Sequence, residues 1–332
     1  MGAASRGAIW RLALKVVVSA GFMVFLLRRT PPAELIRLLR GLDLSLFSAS
    51  VGVFFVSNVL GALQWHVLLA ASGITLSFPR TFRFYFVGLF FNNFLPANIG
   101  GDAVKVWDVA RVGSSVYQVI AVTLLDRLLG IFSLCLLATL AALYLAPRQP
   151  DLPHLWYVAV FLACMVPGIG FYFFKPLGRW LRRVVLRVRP LSLDARITAI
   201  IDHLSPFKGR KALVIRLVWL SVLIQALRVI THVLVGMALG MRVDVILVCQ
   251  FFVFVPLLSL AMIPPVTING LGIREGLGIV LFASAGLAEA DAFTMEFLTY
   301  VISVAVSLLG FLYFVARRHA PRPGESVSSF IP

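Results

Sequence analysis

Acidic side chains are scarce in this chain: 14 aspartates and glutamates stand against 30 lysines and arginines among 332 residues. A balance of +16 would suit a nucleic-acid binder. Here the basic residues flank apolar runs, the pattern of loops facing anionic headgroups, so no nucleic-acid partner is expected. Cysteine is scarcer still. Cys135, Cys164 and Cys249 each sit in an apolar run without metal-ligand spacing; a disulfide framework is excluded and small core residues remain. His66, His154, His203 and His319 are scattered along the chain. With no zinc signature, Walker loop or nucleophile elbow, no metal, no cofactor and no enzymatic chemistry are expected. Long polar stretches are missing too, which leaves no room for a separate soluble catalytic domain.

What fills the chain is apolar sequence. Hydrophobic residues make up 60% of it, and the mean hydropathy is +0.97, far outside the range of a soluble domain. The expected fold is all-α: a single-domain polytopic helical membrane protein over 1–332. Six full spans are predicted, at 9–27, 47–71, 116–145, 155–174, 212–239 and 293–315. The first follows Arg6, Arg11 and Lys15 and ends in Arg28-Arg29 without a small-residue cleavage site. It therefore reads as an uncleaved span rather than a signal peptide.

Two further stretches, 82–111 and 245–285, lie between spans and share a motif. Pro96-Ala97-Asn98-Ile99-Gly100-Gly101-Asp102 is followed by Lys105, and Pro265-Val266-Thr267-Ile268-Asn269-Gly270-Leu271 by Arg274. Both read Pro-x-x-Ile-x-Gly with a cation at the same offset. A helix breaker, glycine and a cation amid apolar sequence imply irregular backbone at membrane depth, tolerated only where protein or a water-filled cavity surrounds it. The arms of the first stretch, 82–95 and 99–111, are shorter than the ~20 residues a span needs, so a re-entrant helical hairpin is predicted. The arms of the second, 245–263 and 266–285, are longer, and both a hairpin and two full spans fit.

Basic residues set the orientation. The linker 175–211 carries Arg179, Arg182, Arg183, Arg187 and Arg189, and the tail 317–332 opens with Arg317-Arg318-His319; both are predicted to be cytoplasmic, as is the N-terminus. A loop around Glu289, Asp291 and Glu296 is placed outside. Arg28, Arg29, Arg37 and Arg40 then break the rule, unless 33–42 is an amphipathic segment lying in the interface. Threading the spans gives span–hairpin–span twice with inverted topology. One half is 47–145 with hairpin 82–111, and the other 212–316 with hairpin 245–285, the plan of an alternating-access transporter.

Ionisable residues inside spans are functional candidates by default. Asp102, Lys105, Asp108 and Arg111 follow the first Gly turn, and helical spacing lets Asp102 pair with Lys105 and Asp108 with Arg111. Asp126-Arg127 lies in the third span, Arg274-Glu275 follows the second Gly turn, and Gln225, Arg228 and His232 recur along one side of the fifth span. Helix N-termini opened by Gly100, Gly101 and Gly270, together with Lys105 and Arg274, make an anion site suited to a phosphate headgroup. Asp102, Asp126 and Glu275 then hold the cations or carry a coupling proton, Asp108, Arg111, Arg127 and Arg228 help organise the site, and the alternative is a set of ion pairs that only lock the hairpins. Asn92, Asn93 and Asn269 either contact the headgroup or cap freed backbone groups. Trp65, Trp107, Trp156 and Trp219 read as interfacial anchors or core.

Three motifs in order resemble one known family. Phe90-Phe91-Asn92-Asn93-Phe94-Leu95-Pro96 runs into Gly100-Gly101-Asp102 and Arg111. Leu125-Asp126-Arg127-Leu128-Leu129-Gly130 follows, then Pro264-Pro265 through Asn269-Gly270-Leu271-Gly272-Ile273-Arg274-Glu275-Gly276. The family is the lysylphosphatidylglycerol synthase transmembrane region, also described as flippase-like, and the resemblance covers nearly the whole chain. Its best-known members, the bacterial multiple peptide resistance factors, move aminoacylated phosphatidylglycerol between leaflets and make it with a soluble domain that these 332 residues lack. The resemblance thus implies translocation without synthesis in a bacterial or archaeal inner membrane, with a phospholipid, aminoacylated lipid or polyprenyl-phosphate lipid as substrate. Lys105 stands where the family commonly has arginine, which keeps the charge and loses a bidentate phosphate contact. Transport is expected to be downhill or ion-coupled, and a homo-oligomer or a lipid-modifying partner enzyme is left open. Two rival readings are a membrane-embedded transferase with Asp102 or Glu275 as general base, and a non-catalytic membrane subunit.

Overall fold

The computed structural model describes residues 32–94, 100–150, 154–173, 200, 202–207, 209–263, 270 and 272–318, and every regular element among them is a helix. The first predicted span (9–27), both Pro-x-x-Ile turns, Asn269, most of the basic linker and the tail beyond 318 lie outside the described residues. A short surface helix, α1 (Pro32–Arg40), precedes a long one, α2 (Leu44–Ala71). There follow α3 (Phe78–Phe94), α4 (Gly100–Ala110), α5 (Val116–Leu145) and α6 (His154–Phe173). After a single 3₁₀ turn at Ser205–Phe207 come α7 (Lys211–Ala238), α8 (Val245–Ala261), α9 (Ile273–Ala283) and α10 (Glu289–Arg318). Four of these, α2, α5, α7 and α10, are long and apolar enough to cross a bilayer.

Helix lengths recur in order. From α2 to α5 they are 28, 17, 11 and 30 residues, and from α7 to α10 they are again 28, 17, 11 and 30. Packing recurs with them: α4 lies on α5 as α9 lies on α10, and α3 packs on α10 as α8 packs on α5. Even the flanking helices follow the rule, α6 against α5 and α1 against α10.

The counterparts α2 and α7 run antiparallel, each with its start at the other's end. The Asp43 N–H donates to the Ala238 carbonyl at 2.8 Å, and Arg210 Nη1 donates to the Ala71 carbonyl at 3.1 Å. The pair α3 and α10 is also antiparallel. Asn93 meets Ser303, while Phe82 meets Tyr313 with ring centroids 6.3 Å apart. Between these points Gly310 lies so close to α3 that a Cβ would strike the Phe86 carbonyl. Small residues permit such backbone approach in membrane helices, where packing rather than water drives association.

The second stretch differs from expectation at its second arm. Helix α9 begins at Ile273 because Gly270 and Gly272 have φ of 75° and 86°, which ends any helix before them. Its 11 residues extend roughly 16 Å at ~1.5 Å per residue, about half the hydrocarbon thickness. Helix α9 by itself is therefore shorter than a full span. A second correction concerns Glu296, expected in an outside loop with Glu289 and Asp291. All three belong to α10, and Glu296 is fully buried, since the buried face of the helix begins at Ala290, well before it. Helix α3 starts at Phe78, four residues earlier than predicted; Pro79 sits in its first turn, where a missing N–H does no harm.

A candidate anion site in each half

Asp102 lies in the first turn of α4 and grips two cations. Lys105 Nζ is 2.8 Å from its Oδ1, while Arg127 of α5 places Nε and Nη2 each 2.8 Å from its Oδ2. Beside them Asp126 accepts a hydrogen bond from Gln64 Nε2 of α2 at 2.8 Å. Two carboxylates thus face two cations, as a low-dielectric setting demands, since one uncompensated charge at a membrane helix centre costs about 2.5–3.5 kcal/mol on insertion scales.

Lys105 is enclosed on all sides. Its ammonium stands 5.2 Å from the Trp65 ring and 5.1 Å from the Tyr85 ring, within cation–π range, and its stem occupies the space that a side chain at Gly88 would fill. Trp65 is accordingly core, whereas Trp107, Trp156 and Trp219 are exposed. Of the two cations only Arg127 is open, with 45% of its side chain exposed against 5% for Lys105.

The adjacent asparagines have separate duties. Asn92 Oδ1 accepts the Gly101 N–H at 2.8 Å, tying the end of α3 to the start of α4. Asn93 is buried and faces α10, donating to the Ser303 carbonyl at 3.3 Å while Ser303 Oγ donates back to its Oδ1 at 3.3 Å. Gly100 opens α4, and Gly101 lies against Gly88, where a Cβ would strike the Gly88 carbonyl. Asp108 is buried further along α4; Arg111, just past its end, is exposed over the Trp107 ring, 4.8 Å from its centroid.

The second half builds its cluster from α7, α9 and α10. Glu275 folds back so that Oε2 accepts the Gly272 N–H at 2.7 Å, half of a capping box. Arg274 Nε stands 4.0 Å from Glu296 Oε2, and its guanidinium lies 5.8 Å from the Tyr300 ring centroid. His232 of α7 approaches the same Oε2 to 3.6 Å. Gln225 is buried against Gly130 of α5, and Arg228, one turn before His232, is half-buried. The buried residue missed by sequence reasoning is Glu296. An acid inside an apolar run, facing cations with no acid on their own side, was the available signal, masked by Glu289 and Asp291 nearby.

Lys105 and Arg274 each lie on the 11-residue helix of their half, one mid-helix and the other at the start, and each stands beside a buried carboxylate. The first finds its acid one turn away on its own helix, the second on the neighbouring helix.

Comparison with known proteins points to a family of membrane proteins. A family model described as the lysylphosphatidylglycerol synthase TM region matches residues 12–321. Two proteins of Methanothermobacter thermautotrophicus, each named UPF0104 membrane protein, are similar along most of their length. One is 23% identical over 298 residues, covering 84% of this chain and 87% of the relative. The other is 21% identical over 308 residues, covering 85% and 87%.

Proposed function

The chain belongs to the lysylphosphatidylglycerol synthase TM region family of membrane proteins, and from that premise we propose that it carries an anionic or phosphate-bearing lipid headgroup from one leaflet to the other. The observation that carries this reading is the twofold recurrence of one unit: equal helix lengths, equivalent packing, and, on each 11-residue helix, a cation beside a buried carboxylate. The pairs α3–α4 and α8–α9 are read as re-entrant hairpins. The antiparallel pairing of α2 with α7 supports an inverted repeat, the plan of alternating access. The protein lies in the cell membrane with both termini cytoplasmic, and the lipid leaves chemically unchanged.

In this mechanism the headgroup enters beside α4 or α9 while its acyl tails stay in the bilayer. Arg127, the open cation, meets the phosphate first. Asp102 holds Arg127 and Lys105 in place until a phosphate competes for them, so the empty site stays neutral. Arg274 plays the same part in the second half, with Glu275 fixing the start of α9 and Glu296 holding the guanidinium. Asn92, Gly100, Gly101, Asn269 and Gly270 shape the two helix starts, and Asn93 couples the first pair to α10.

Leaflet exchange of fluorescent phosphatidylglycerol in proteoliposomes tests the proposal. Wild type is expected to accelerate exchange over empty liposomes, and Arg274→Ala and Arg127→Ala each to slow it at least tenfold with folding intact. No acceleration with phosphatidylglycerol, aminoacylated phosphatidylglycerol or polyprenyl-phosphate analogues removes the proposal, and a chemically altered lipid replaces it with the transferase reading.

A further inference from the structure

Glu296 is fully buried, and neither of its oxygens has a hydrogen-bond partner among the described residues. The space it occupies is reserved for it: a Cβ on Gly278 of α9 would come within 2.8 Å of its Cγ. Two basic side chains converge on one oxygen, His232 Nε2 at 3.6 Å and Arg274 Nε at 4.0 Å, both beyond hydrogen-bond length.

The far side of the imidazole decides what this means. His232 Nδ1 lies 3.1 Å from the Arg228 carbonyl. A carbonyl only accepts, so Nδ1 carries the hydrogen. In a neutral imidazole Nε2 is then a bare acceptor, and it faces a carboxylate that is an acceptor as well. Two lone pairs opposed in a dry interior repel. One added proton turns the contact into a bond from carboxyl to imidazole, the neutral form that a dry interior favours over an ion pair.

Other charged and titratable groups flank the pair. From α9 come Arg274 and Glu275; Glu275 Oε2 accepts the Gly272 N–H, and its buried Oε1 has no hydrogen-bond partner among the described residues. From α7 come His232 and, a turn earlier, half-buried Arg228. On α10 itself Tyr300 lies under Arg274. Helix α3 meets α10 at Ser303, Gly310 and Tyr313, and its Arg80 and Arg83 are exposed. The titratable side chain of α2, His66, bonds Thr81, and Arg37 and Arg40 of α1 are at the surface.

We propose that Glu296 and His232 form a proton-binding site linked through Arg274 to binding of the anionic headgroup, so that one proton travels with each lipid. This rests on the translocation reading and names its coupling ion. Protonating the pair releases Arg274 from Glu296 and frees it for a phosphate. Reciprocally, a phosphate that engages Arg274 draws that cation away from Glu296, and the pair then holds its proton more tightly. Linkage makes the two effects equal. The proton comes from water on the loading side and returns to water on the other, and no covalent bond to the lipid changes.

The test is an infrared titration of the protonated-carboxyl band of the full-length protein in phosphatidylcholine nanodiscs, with and without added phosphatidylglycerol. Wild type is expected to show a band that persists to higher pH when phosphatidylglycerol is present. Apparent affinity for that lipid then rises by up to about tenfold for each unit fall in pH across the same range. The band is absent in Glu296→Gln and displaced in His232→Gln, and both variants bind the lipid with a flat pH profile. If Glu296→Gln does not fold, the wild-type shift and the His232→Gln displacement decide. A band unmoved by phosphatidylglycerol, or one that survives in Glu296→Gln, overturns the proposal. Inorganic phosphate alone producing the same shift upholds the linked site and assigns its ligand as the free anion. Leaflet exchange separates the two readings: a shifting band without lipid movement leaves the proton site standing and removes translocation, and lipid movement with an unmoved band does the reverse.

Discussion

Asp102 is the residue on which the first cluster depends, because it faces Lys105 and Arg127 at once. Removing one partner of a buried pair leaves an uncompensated charge and costs about 3–5 kcal/mol. Asp102→Ala should therefore unfold at markedly lower temperature in detergent. Asp102→Ala combined with Lys105→Met should recover much of that loss, because half-exposed Arg127 keeps its solvation. Equal melting temperatures for the single and double variants would show that Lys105 does not depend on Asp102. Half of this arrangement was legible in sequence: Asp102 and Lys105 are three apart on a helix, and their pairing follows from spacing alone. The bond from Arg127 was not, since 25 residues separate it from Asp102 and only packing of α4 on α5 joins them. Glu296 was hidden for the opposite reason, its acidic neighbours making a helix start resemble a loop.

At the scale of elements, composition announced the long helices well. The third predicted span, 116–145, coincides with α5, and those at 47–71, 155–174, 212–239 and 293–315 agree with helices within a few residues, while 9–27 lies outside the described residues. Shorter elements were harder, since their limits depend on backbone conformation rather than hydropathy. Gly272 ends the reach of α9, and a proline in the first turn extends α3 backwards. Close packing between elements leaves its own mark at Gly310, whose Cβ position is already filled by the Phe86 carbonyl. Backbone cannot yield as a flexible side chain does. Gly310→Ala should destabilise by at least the ~1–3 kcal/mol typical of overpacking, whereas Gly52→Ala, with open space around it, should be neutral or stabilising. Thermal unfolding of the two variants side by side checks this, and a Gly310→Ala protein as stable as wild type would contradict so close an approach of α10 to α3.

On the scale of the whole molecule the two Pro-x-x-Ile-x-Gly motifs pointed to a recurrence, and helix lengths and packing do recur, although those turns lie outside the described residues. What the sequence did not disclose was that counterpart helices pair with one another. Disulfide cross-linking reads this directly, in protein whose Cys135, Cys164 and Cys249 are replaced by serine. Cysteines at 71 and 210 should join efficiently, as should cysteines at 43 and 238, while a pair at 43 and 210 should stay apart. Cross-linking of the last pair in preference to the others would mean a parallel arrangement and no inverted repeat.

The same interlocking bears on how the protein is made. Helix α2 finds its terminal partners on α7, α3 packs on α10, and α5 on α8. Synthesis delivers the first half before any of those partners exists. Its helices must wait in the lipid with flanks uncovered until the second half is inserted beside them. Birth order thus leaves the early half incomplete in the lipid, and makes the late half the clasp that closes the molecule.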